Sequence, residues 1–173
     1  MNTAKNWKLK YTSDGGNWNL TGYSDSDWAG DQRTRRSTTG VVFFYGAGVI
    51  CWTSKGQNSV ALSSMEAEYN ALTLACQEAI WLKRLLREIG AVEHTLITIF
   101  EDNQGCLSFA TAERTNGRVK HIDTKRHFVR ELCENKTIEQ VYCPTDAIVA
   151  DALTKPVGPN MLRKFVERVG LFP

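Results

Sequence analysis

The sequence predicts an α/β fold in which helices flank a mixed five-stranded sheet. Its elements come in an informative order: a strand, a pair of strands joined by a glycine turn, a long amphipathic helix, and then two strands that alternate with helices. This order favours an antiparallel start to the sheet, with later strands joined through helices. The 173 residues suffice for one core. We therefore expect one domain over residues 19–173, with residues 1–18 as an N-terminal lead-in.

The first three strands are predicted from alternation and turn residues. Residues 20–28 form the first strand, and the alternation places Tyr23, Asp25 and Asp27 on one face. A basic loop follows over residues 33–38. Residues 41–45 and 49–53 are rich in β-branched and aromatic side chains, and the glycines between them are typical of a hairpin.

The long helix is predicted from its cap and its apolar stripe. Ser63 and Glu66 form a capping box at its start, and Gly90 marks its end. Its apolar residues recur at spacings of three and four, at Ala71, Leu72, Ala75, Ala79, Leu82, Leu86 and Ile89. Projected backwards, this stripe reaches Glu68, whereas Glu66 serves the cap. Glu68 is therefore an acid on a core-facing position.

The remaining elements alternate between strands and helices. We predict a strand over residues 95–101 closed by Asp102, a helix over 103–112, a basic loop over 113–120, a helix over 121–134, a strand over 137–143, a helix that carries Asp151, and a final helix over 161–169. Thr145 or Asp146 would cap the helix of Asp151, and Pro156 would end it. In the helix over 121–134 we expect Arg126, His127 and Arg130 on the outer side.

Four acids occupy positions that are unusual for surface charges: Asp25, Glu68, Asp102 and Asp151. They lie in a strand, on a helix stripe, at a strand end and in a late helix, so the fold can bring them together. Like charges at short distance repel, and in proteins a bound divalent cation usually neutralises such a cluster of carboxylates. The pattern therefore points to metal-dependent phosphodiester chemistry.

Each acid also has a simpler interpretation. Asp25 could be a turn acid, Glu68 an amphipathic-edge residue and Asp102 a helix cap, while Asp146 competes with Asp151. We expect Asp27 and Asp31 to be structural. His121, His127 and Asp123 invite a zinc site, but the two histidines are six positions apart, a spacing that a helix does not align. Asp123 and His127 fit an i,i+4 surface pair instead.

Composition bounds the class of protein. The net charge of +2 does not by itself indicate nucleic acid, although residues 113–130 carry six Lys or Arg against two acids. This segment is either a solvated face or, as we favour, a nucleic-acid face. Five cysteines without a CxxC pair indicate free thiols in a reducing compartment. We see no signal peptide or membrane span, expect a soluble intracellular protein, and expect Trp28 and Trp81 in the core.

Eight motifs in order carry a resemblance over roughly residues 20–171. The chain resembles the ribonuclease H domain of a Ty1/copia-type retrotransposon Pol polyprotein, in which this domain follows the reverse transcriptase. The motifs are Tyr23-Ser-Asp25-Ser-Asp27-Trp28-Ala-Gly-Asp31, Arg35-Arg36-Ser37-Thr38-Thr39-Gly40, Trp52-Thr-Ser-Lys55, Leu62-Ser-Ser-Met-Glu66-Ala-Glu68-Tyr69, Glu78-Ala-Ile-Trp81-Leu82, Asp102-Asn103-Gln104, Lys120-His121-Ile122-Asp123 and Ala150-Asp151-Ala152-Leu153-Thr154-Lys155-Pro156.

The resemblance implies a ribonuclease H-like fold and a catalytic site of Asp25, Glu68, Asp102 and Asp151. These acids would hold two Mg²⁺ ions, with Mn²⁺ able to replace them, and the enzyme would cut the RNA strand of an RNA–DNA hybrid into 5′-phosphate and 3′-hydroxyl ends. The reverse transcriptase domain of the same polyprotein would be a partner. The implied location is the cytoplasm, in virus-like particles.

Other residues are assigned to nucleic-acid binding. The resemblance implies groove contacts by Gln104 and Asn103, where the RNA 2′-hydroxyl is read. Phosphate contacts are expected from basic residues, namely Arg33, Arg35, Arg36, Arg118, Lys120, Arg126 and Arg130. Cellular and retroviral relatives carry a histidine before the last acid, but residues 142–150 contain none. His121 or His127 could take its place, or the role could be absent.

Two rival functions share the predicted fold. One is a noncatalytic binding or scaffold domain attached to reverse transcriptase, against which the intact set of four acids argues. The other is a transposase or integrase core, which would not need Glu68 on the long helix. Activity on hybrid and on duplex DNA separates these alternatives.

Overall fold

The computed structural model of the protein describes residues 6–11, 18–92, 96–112 and 120–172, without the side chains of Lys120 and His121. Arg118 and the loop over residues 113–119 lie outside the described part. In chain order the elements are β1 (Lys8–Leu9), β2 (Leu20–Asp27), β3 (Thr38–Tyr45), β4 (Gly48–Gly56), α1 (Ser64–Glu88), β5 (Ile97–Glu101), α2 (Gln104–Thr111), α3 (Lys120–Glu134), β6 (Ile138–Tyr142), two 3₁₀ segments (Thr145–Ala147 and Val149–Leu153), α4 (Pro159–Val169) and β7 (Leu171–Phe172).

The central sheet confirms the predicted fold class. Its five strands follow the order β4-β3-β2-β5-β6. The strands β2, β3 and β4 run antiparallel, whereas β5 runs parallel to both β2 and β6. The predicted hairpin turns at Gly46, whose φ of +60° suits a residue without a side chain. The sheet is therefore mixed, and its middle strands β2 and β5 end side by side.

The helix α1 packs one face of the sheet, as its stripe predicts. The hydroxyl of Ser63 accepts the N–H of Glu66, and the Glu66 carboxylate accepts the N–H of Leu62, so the predicted cap forms. Stripe residues such as Leu72, Ala75 and Leu82 are buried in the core that α1 forms with β2, β3 and β5. Ile89 is the exception on the stripe and is 67% exposed, because it is the C-cap just before Gly90.

A second apolar cluster covers the opposite face of the sheet. Tyr23, Val42 and Phe44 pack there against Ile148 and Val169 from the C-terminal part of the chain. The strand β1 pairs antiparallel with β7, and Leu9 packs against this cluster. The stretch Lys8–Leu9, which the sequence assigns to the lead-in, thus lies against the second face; the division at residue 18 stays a prediction.

Three local expectations are wrong. The region of Asp151 is two 3₁₀ segments rather than one helix, because Ile148 between them has an extended backbone, and neither Thr145 nor Asp146 is a cap. Trp28 and Trp81 are 49% and 55% exposed rather than buried. Trp28 lies just past β2, where its indole N–H donates to the carbonyl of Ala61.

Two broader expectations can be compared with the structure. All five cysteines are free thiols, and Cys76, Cys106 and Cys143 are buried. None of the helices in the described part of the chain has the length and apolar character to cross a membrane.

Candidate active site

The parallel pairing of β2 with β5 brings two of the predicted acids together. Tyr23 on β2 lies opposite Phe100 on β5. Asp25 and Asp102 each follow two positions later, so both lie just beyond the last parallel pair of these neighbouring strands. In α/β folds this edge of the sheet is the usual position of ligand sites.

The helix α1 adds a third acid. Glu68 lies near the start of α1, which packs on β2, and its side chain is only 8% exposed. One carboxylate oxygen from each of Asp25, Glu68 and Asp102 lies within 4.8 Å of the others. The Oε2 atom of Glu68 is buried without a hydrogen-bond partner among the described residues. Three carboxylates thus converge, and one of them keeps an unsatisfied oxygen.

Asp151 reaches the same region through the second 3₁₀ segment. It is 5% exposed and its Oδ1 atom lies 2.5 Å from the ammonium of Lys155. The hydroxyl of Thr154 donates to the Oδ2 atom of Asp25 over 2.6 Å. The segment therefore contacts the first acid directly. Asp151 is not one of the three mutually close acids, but it adds negative charge near Asp25.

Gly40 permits this close approach. It pairs with Asp25 across β2 and β3. A Cβ atom on Gly40 would lie 2.7 Å from the carbonyl oxygen of Ala150 and 2.7 Å from a methyl carbon of Thr154. A side chain here would push the 3₁₀ segment away from the sheet. The sequence contains Gly40 in a motif but gives no sign of this role.

Glu101 is a fifth acid that the sequence-based set omits. It is fully buried at the end of β5, where the hydroxyl of Ser24 donates to its Oε2 atom over 2.7 Å. The N–H of Asn103 donates to its Oε1 atom over 3.3 Å. Glu101 thus links β2 to the turn that carries Asp102. Alternation along β5 could have found it, because Ile97, Ile99 and Glu101 share the buried face.

Crowding and burial shift the titration of these acids. Burial, together with the charges of Asp151 and Asp102, raises the pKa of Asp25 to about 6, although the hydrogen bond from Thr154 opposes the shift. Burial, followed by the charge of Glu101, raises the pKa of Glu68. Burial also raises the pKa of Glu101, against the bonds from Ser24 and Asn103. The ionised cluster is therefore short of positive charge.

The donor set fits a divalent cation. Clustered carboxylate oxygens are the hard ligands that Mg²⁺ prefers, and the described residues around them supply no thiolate or imidazole to this group. The buried Oε2 atom of Glu68, which has no hydrogen-bond partner among the described residues, is an oxygen that a bound cation would satisfy. Asp25, Glu68 and Asp102 are the residues that would hold it, with Asp151 beside them.

The candidate nucleic-acid residues divide into exposed and engaged groups. Arg33, Arg35 and Arg36 are exposed in the loop after β2, and Gln104 is exposed at the start of α2. Because their side chains are exposed, the three arginines are available to a ligand. The carboxylate of Asp31 accepts the backbone N–H groups of Arg33 and Thr34, which supports the predicted structural role of Asp31.

The helix α3 departs from its predicted polarity. Arg126 was expected on the outer side but is 5% exposed, because its guanidinium donates to the carbonyl of Ala112 and to Asp123. The outward placement is wrong, and the side chain instead ties α3 to the end of α2. Arg130 is paired with Glu134 over 2.6 Å.

Two other predicted residues have defined environments. The side-chain oxygen of Asn103 accepts the N–H of Cys106 and caps α2, so Asp102 is not the cap. His127 lies on the exposed side and its ring is 3.8 Å from Asp123, as the i,i+4 spacing predicts. Among the residues whose side chains are described, His127 belongs to no group of three metal-ligating side chains.

Several solved structures share this fold. LC11-RNase H1, isolated from compost by a metagenomic approach, has a TM-score of 0.60 at 15% identity over 80% of this chain and 94% of that chain. The same enzyme in complex with an RNA/DNA hybrid has a TM-score of 0.56 at 16% identity, over 78% of this chain and 93% of that chain. The prototype foamy virus protease-reverse transcriptase has a TM-score of 0.56 at 18% identity, over 85% and 21%. The fold is thus the ribonuclease H fold.

Sequence relatives identify the family. The chain is 39% identical over 152 residues to the retrovirus-related Pol polyprotein from transposon TNT 1-94 of Nicotiana tabacum, covering 88% of this chain. It is 34% identical over 157 residues to the polyprotein from transposon RE1 of Arabidopsis thaliana, covering 91% of this chain. No protein-family model matches. The chain therefore belongs to the retrovirus-related Pol polyproteins of transposons, and it spans 11% of the length of each of these relatives.

Proposed function

We propose that this chain is a metal-dependent ribonuclease H that cuts the RNA strand of RNA–DNA hybrids during reverse transcription of a Ty1/copia-type element. The observation that carries the proposal is the group of Asp25, Glu68 and Asp102, whose oxygens lie within 4.8 Å of one another in a ribonuclease H fold. The family membership supports the setting in a retrotransposon Pol polyprotein.

The residues of the site would bind and orient the reacting groups. Asp25, Glu68, Asp102 and Asp151 would hold two divalent cations, whose chemistry would be to activate a water and to stabilise the leaving 3′ oxygen; the products would carry 5′-phosphate and 3′-hydroxyl ends. Thr154 fixes the carboxylate of Asp25 by its hydrogen bond. Lys155 balances the charge of Asp151. Glu101 holds the turn of Asp102 through the N–H of Asn103.

The structural neighbours support a substrate and a partner for the proposed enzyme. A structural neighbour is solved with an RNA/DNA hybrid, which supports the hybrid as the ligand. We assign Gln104 and the amide of Asn103 to the groove, and Arg33, Arg35 and Arg36 to phosphates. Another neighbour is a protease-reverse transcriptase, which supports the reverse transcriptase domain of the same polyprotein as partner. The proposed location is the cytoplasmic virus-like particle of the element.

Cation binding and product ends test this proposal against a noncatalytic domain of the same fold. Calorimetry with Mg²⁺ on the wild-type chain and on Asp102→Asn should show binding that the substitution weakens. Products of a cut hybrid should carry 5′-phosphate ends. A folded chain that binds hybrid but neither Mg²⁺ nor Mn²⁺ would support the noncatalytic alternative instead.

A further inference from the structure

Asp151 differs from the other three acids of the site because it has a cationic partner of its own. One oxygen from each of Asp25, Glu68 and Asp102 lies within 4.8 Å of the others, and none of these three acids forms an ion pair among the described residues. Asp151 lies outside that group, and its Oδ1 atom is 2.5 Å from the ammonium of Lys155. The acids thus separate into a group of three without a counter-charge and one neutralised carboxylate.

Lys155 supplies the positive charge that the carboxylate of Asp151 requires. Asp151 is buried, and an ionised carboxylate in a buried position is costly unless it is paired. The charge of Lys155 also interacts with the charges of Asp25 and Asp27. The ammonium therefore does for Asp151 what a bound cation would do.

The side chain of Lys155 can leave Asp151 without a change in the backbone. It is 43% exposed, so the ammonium can exchange the carboxylate for water. The backbone before it is held by Thr154, whose N–H donates to the carbonyl of Asp151 over 3.2 Å. Pro156 restricts the backbone of the residue before it, which is Lys155 itself. Because a flexible stem links the ammonium to this fixed point, its release requires only side-chain rotations.

The ammonium and a divalent cation compete for Asp151. The ammonium already lies at ion-pair distance from Oδ1, and two cations on one carboxylate repel each other. Asp25, Glu68 and Asp102 carry no such ammonium on their oxygens. A cation can therefore bind to these three acids without displacing a side chain, whereas binding to Asp151 requires the departure of Lys155.

We propose that Lys155 is an exchangeable counter-cation of Asp151, which a divalent cation must displace before Asp151 can serve as a ligand. Without nucleic acid, the chain then binds one divalent cation tightly at Asp25, Glu68 and Asp102, and a second one only weakly. The inference rests on the proposed function, since it assigns the order in which the proposed cation ligands become available. Lys155 is a positioning residue in this account, because it acts through Asp151.

Counting bound Mn²⁺ ions tests the proposal without an activity assay. The folded chain is titrated with Mn²⁺ in the absence of nucleic acid; electron paramagnetic resonance measures the free ion and calorimetry measures the heat. We expect one tight and one weak binding event in wild type. Lys155→Met should strengthen the weak event about tenfold, an effect typical of partners of metal ligands, and should change the tight event much less. Lys155→Arg keeps the charge and should leave the weak event weak.

Matched variants separate this exchange from a general loss of positive charge. Lys164→Met removes an exposed charge on α4 and should leave both events unchanged. In an Asp151→Asn background, Lys155→Met should no longer strengthen the weak event, because the carboxylate that the ammonium occupies is gone. Lys155→Gln keeps a polar side chain without a charge and should act like Lys155→Met. Urea unfolding shows which variants are folded.

The outcomes distinguish the inference from the proposed function. The inference is wrong if wild type binds two Mn²⁺ ions equally well, or if Lys155→Met and Lys155→Gln leave the weak event unchanged or weaken it. It is also wrong if the gain persists in the Asp151→Asn background. When wild type still cuts the hybrid in these cases, the proposed function stands. A folded wild-type chain that binds no divalent cation overturns both.

Discussion

The hydroxyl of Thr154 donates a 2.6 Å hydrogen bond to the Oδ2 atom of Asp25, joining residues 129 positions apart in the chain. The backbone N–H of Thr154 donates to the carbonyl of Asp151 over 3.2 Å, and its hydroxyl oxygen lies 3.0 Å from the same carbonyl oxygen. Thr154 therefore joins the first acid to the segment of the last acid. The C-terminal 3₁₀ segment is thus part of the site's scaffold as well as the carrier of Asp151.

Removing this hydroxyl should loosen the site without unfolding the chain. We expect Thr154→Val to lower Mg²⁺ affinity and hybrid cleavage by about tenfold, because partners that orient metal ligands contribute effects of that size. The acid limb of the pH–rate profile should move to higher pH, since the bond lowers the pKa of Asp25. Thr154→Ser keeps the hydroxyl and should retain most activity. Equal losses in both variants would contradict the assigned role.

Neutralising any of the clustered acids should abolish cleavage. Asp25→Asn, Glu68→Gln and Asp102→Asn each remove a charge but keep the side-chain shape, so we expect losses of about 100-fold or more with an unchanged circular dichroism spectrum. Glu66→Gln is the matched control, because Glu66 lies two positions from Glu68 but only accepts the N–H of Leu62. Strong residual cleavage by any acid variant would remove that residue from the site.

The metal-free chain should lose stability as the pH rises through the range of Asp25. Its pKa is raised from 3.8 to about 6, so the folded state binds this proton more tightly than the unfolded state. Its stabilising contribution is complete below the ordinary pKa and is lost as the pH rises through about 6. Urea unfolding of wild type relative to Asp25→Asn should show this loss between pH 4 and 6, and Mg²⁺ should reverse it. If the free energy of unfolding of wild type instead rose relative to that of Asp25→Asn as the pH increased, the prediction would be contradicted.

A side chain at Gly40 should displace the segment of Asp151. Gly40→Ala would place a carbon 2.7 Å from the carbonyl oxygen of Ala150, and such overpacking costs roughly 1–3 kcal/mol. We expect lower stability to urea and a loss of cleavage. Gly56→Ala is the stability control in the same sheet, because a Cβ there meets no atom within 4 Å. Equal stability of the two variants would show that the close packing at Gly40 is unimportant.

Replacing Glu101 by glutamine should separate its charge from its hydrogen bonds. The amide can still accept from Asn103 and contact Ser24, so the turn of Asp102 is preserved. We expect the metal-free chain to gain about 1 kcal/mol at neutral pH, because burial disfavours the carboxylate of Glu101 and raises its pKa to about 8, whereas glutamine has no charge to desolvate. Mg²⁺ affinity should fall, because the variant lacks a carboxylate whose charge would attract the cation. Glu139→Gln, an exposed acid on β6, should change neither, and an unchanged Mg²⁺ affinity in Glu101→Gln would contradict the prediction.

Local patterns predicted much of the fold and the three central acids. Helical periodicity predicted α1 and the position of Glu68 on it. The glycines predicted the hairpin and the end of α1, and the end of the strand β5 predicted the position of Asp102. These features depend on neighbours a few positions apart. They are therefore readable from one sequence.

The features that the sequence did not reveal depend on distant contacts. Thr154 meets Asp25, and Gly40 meets Ala150, only after the chain has folded. Arg126 has a polar side chain on an amphipathic helix, but the carbonyl of Ala112 makes burial favourable. Glu101 is a different case: alternation along β5 places it on the buried face, but a charged residue is not expected at a buried position.

Cleavage of a hybrid labelled on its RNA strand tests the central claim most directly. The wild-type chain and Asp102→Asn are compared in Mg²⁺ and in Mn²⁺, beside duplex DNA and duplex RNA. The account predicts that wild type cuts only the RNA of the hybrid, only with a divalent cation, and that Asp102→Asn does not. A folded, cation-binding chain that leaves the hybrid intact, or cuts duplex DNA equally well, would contradict it.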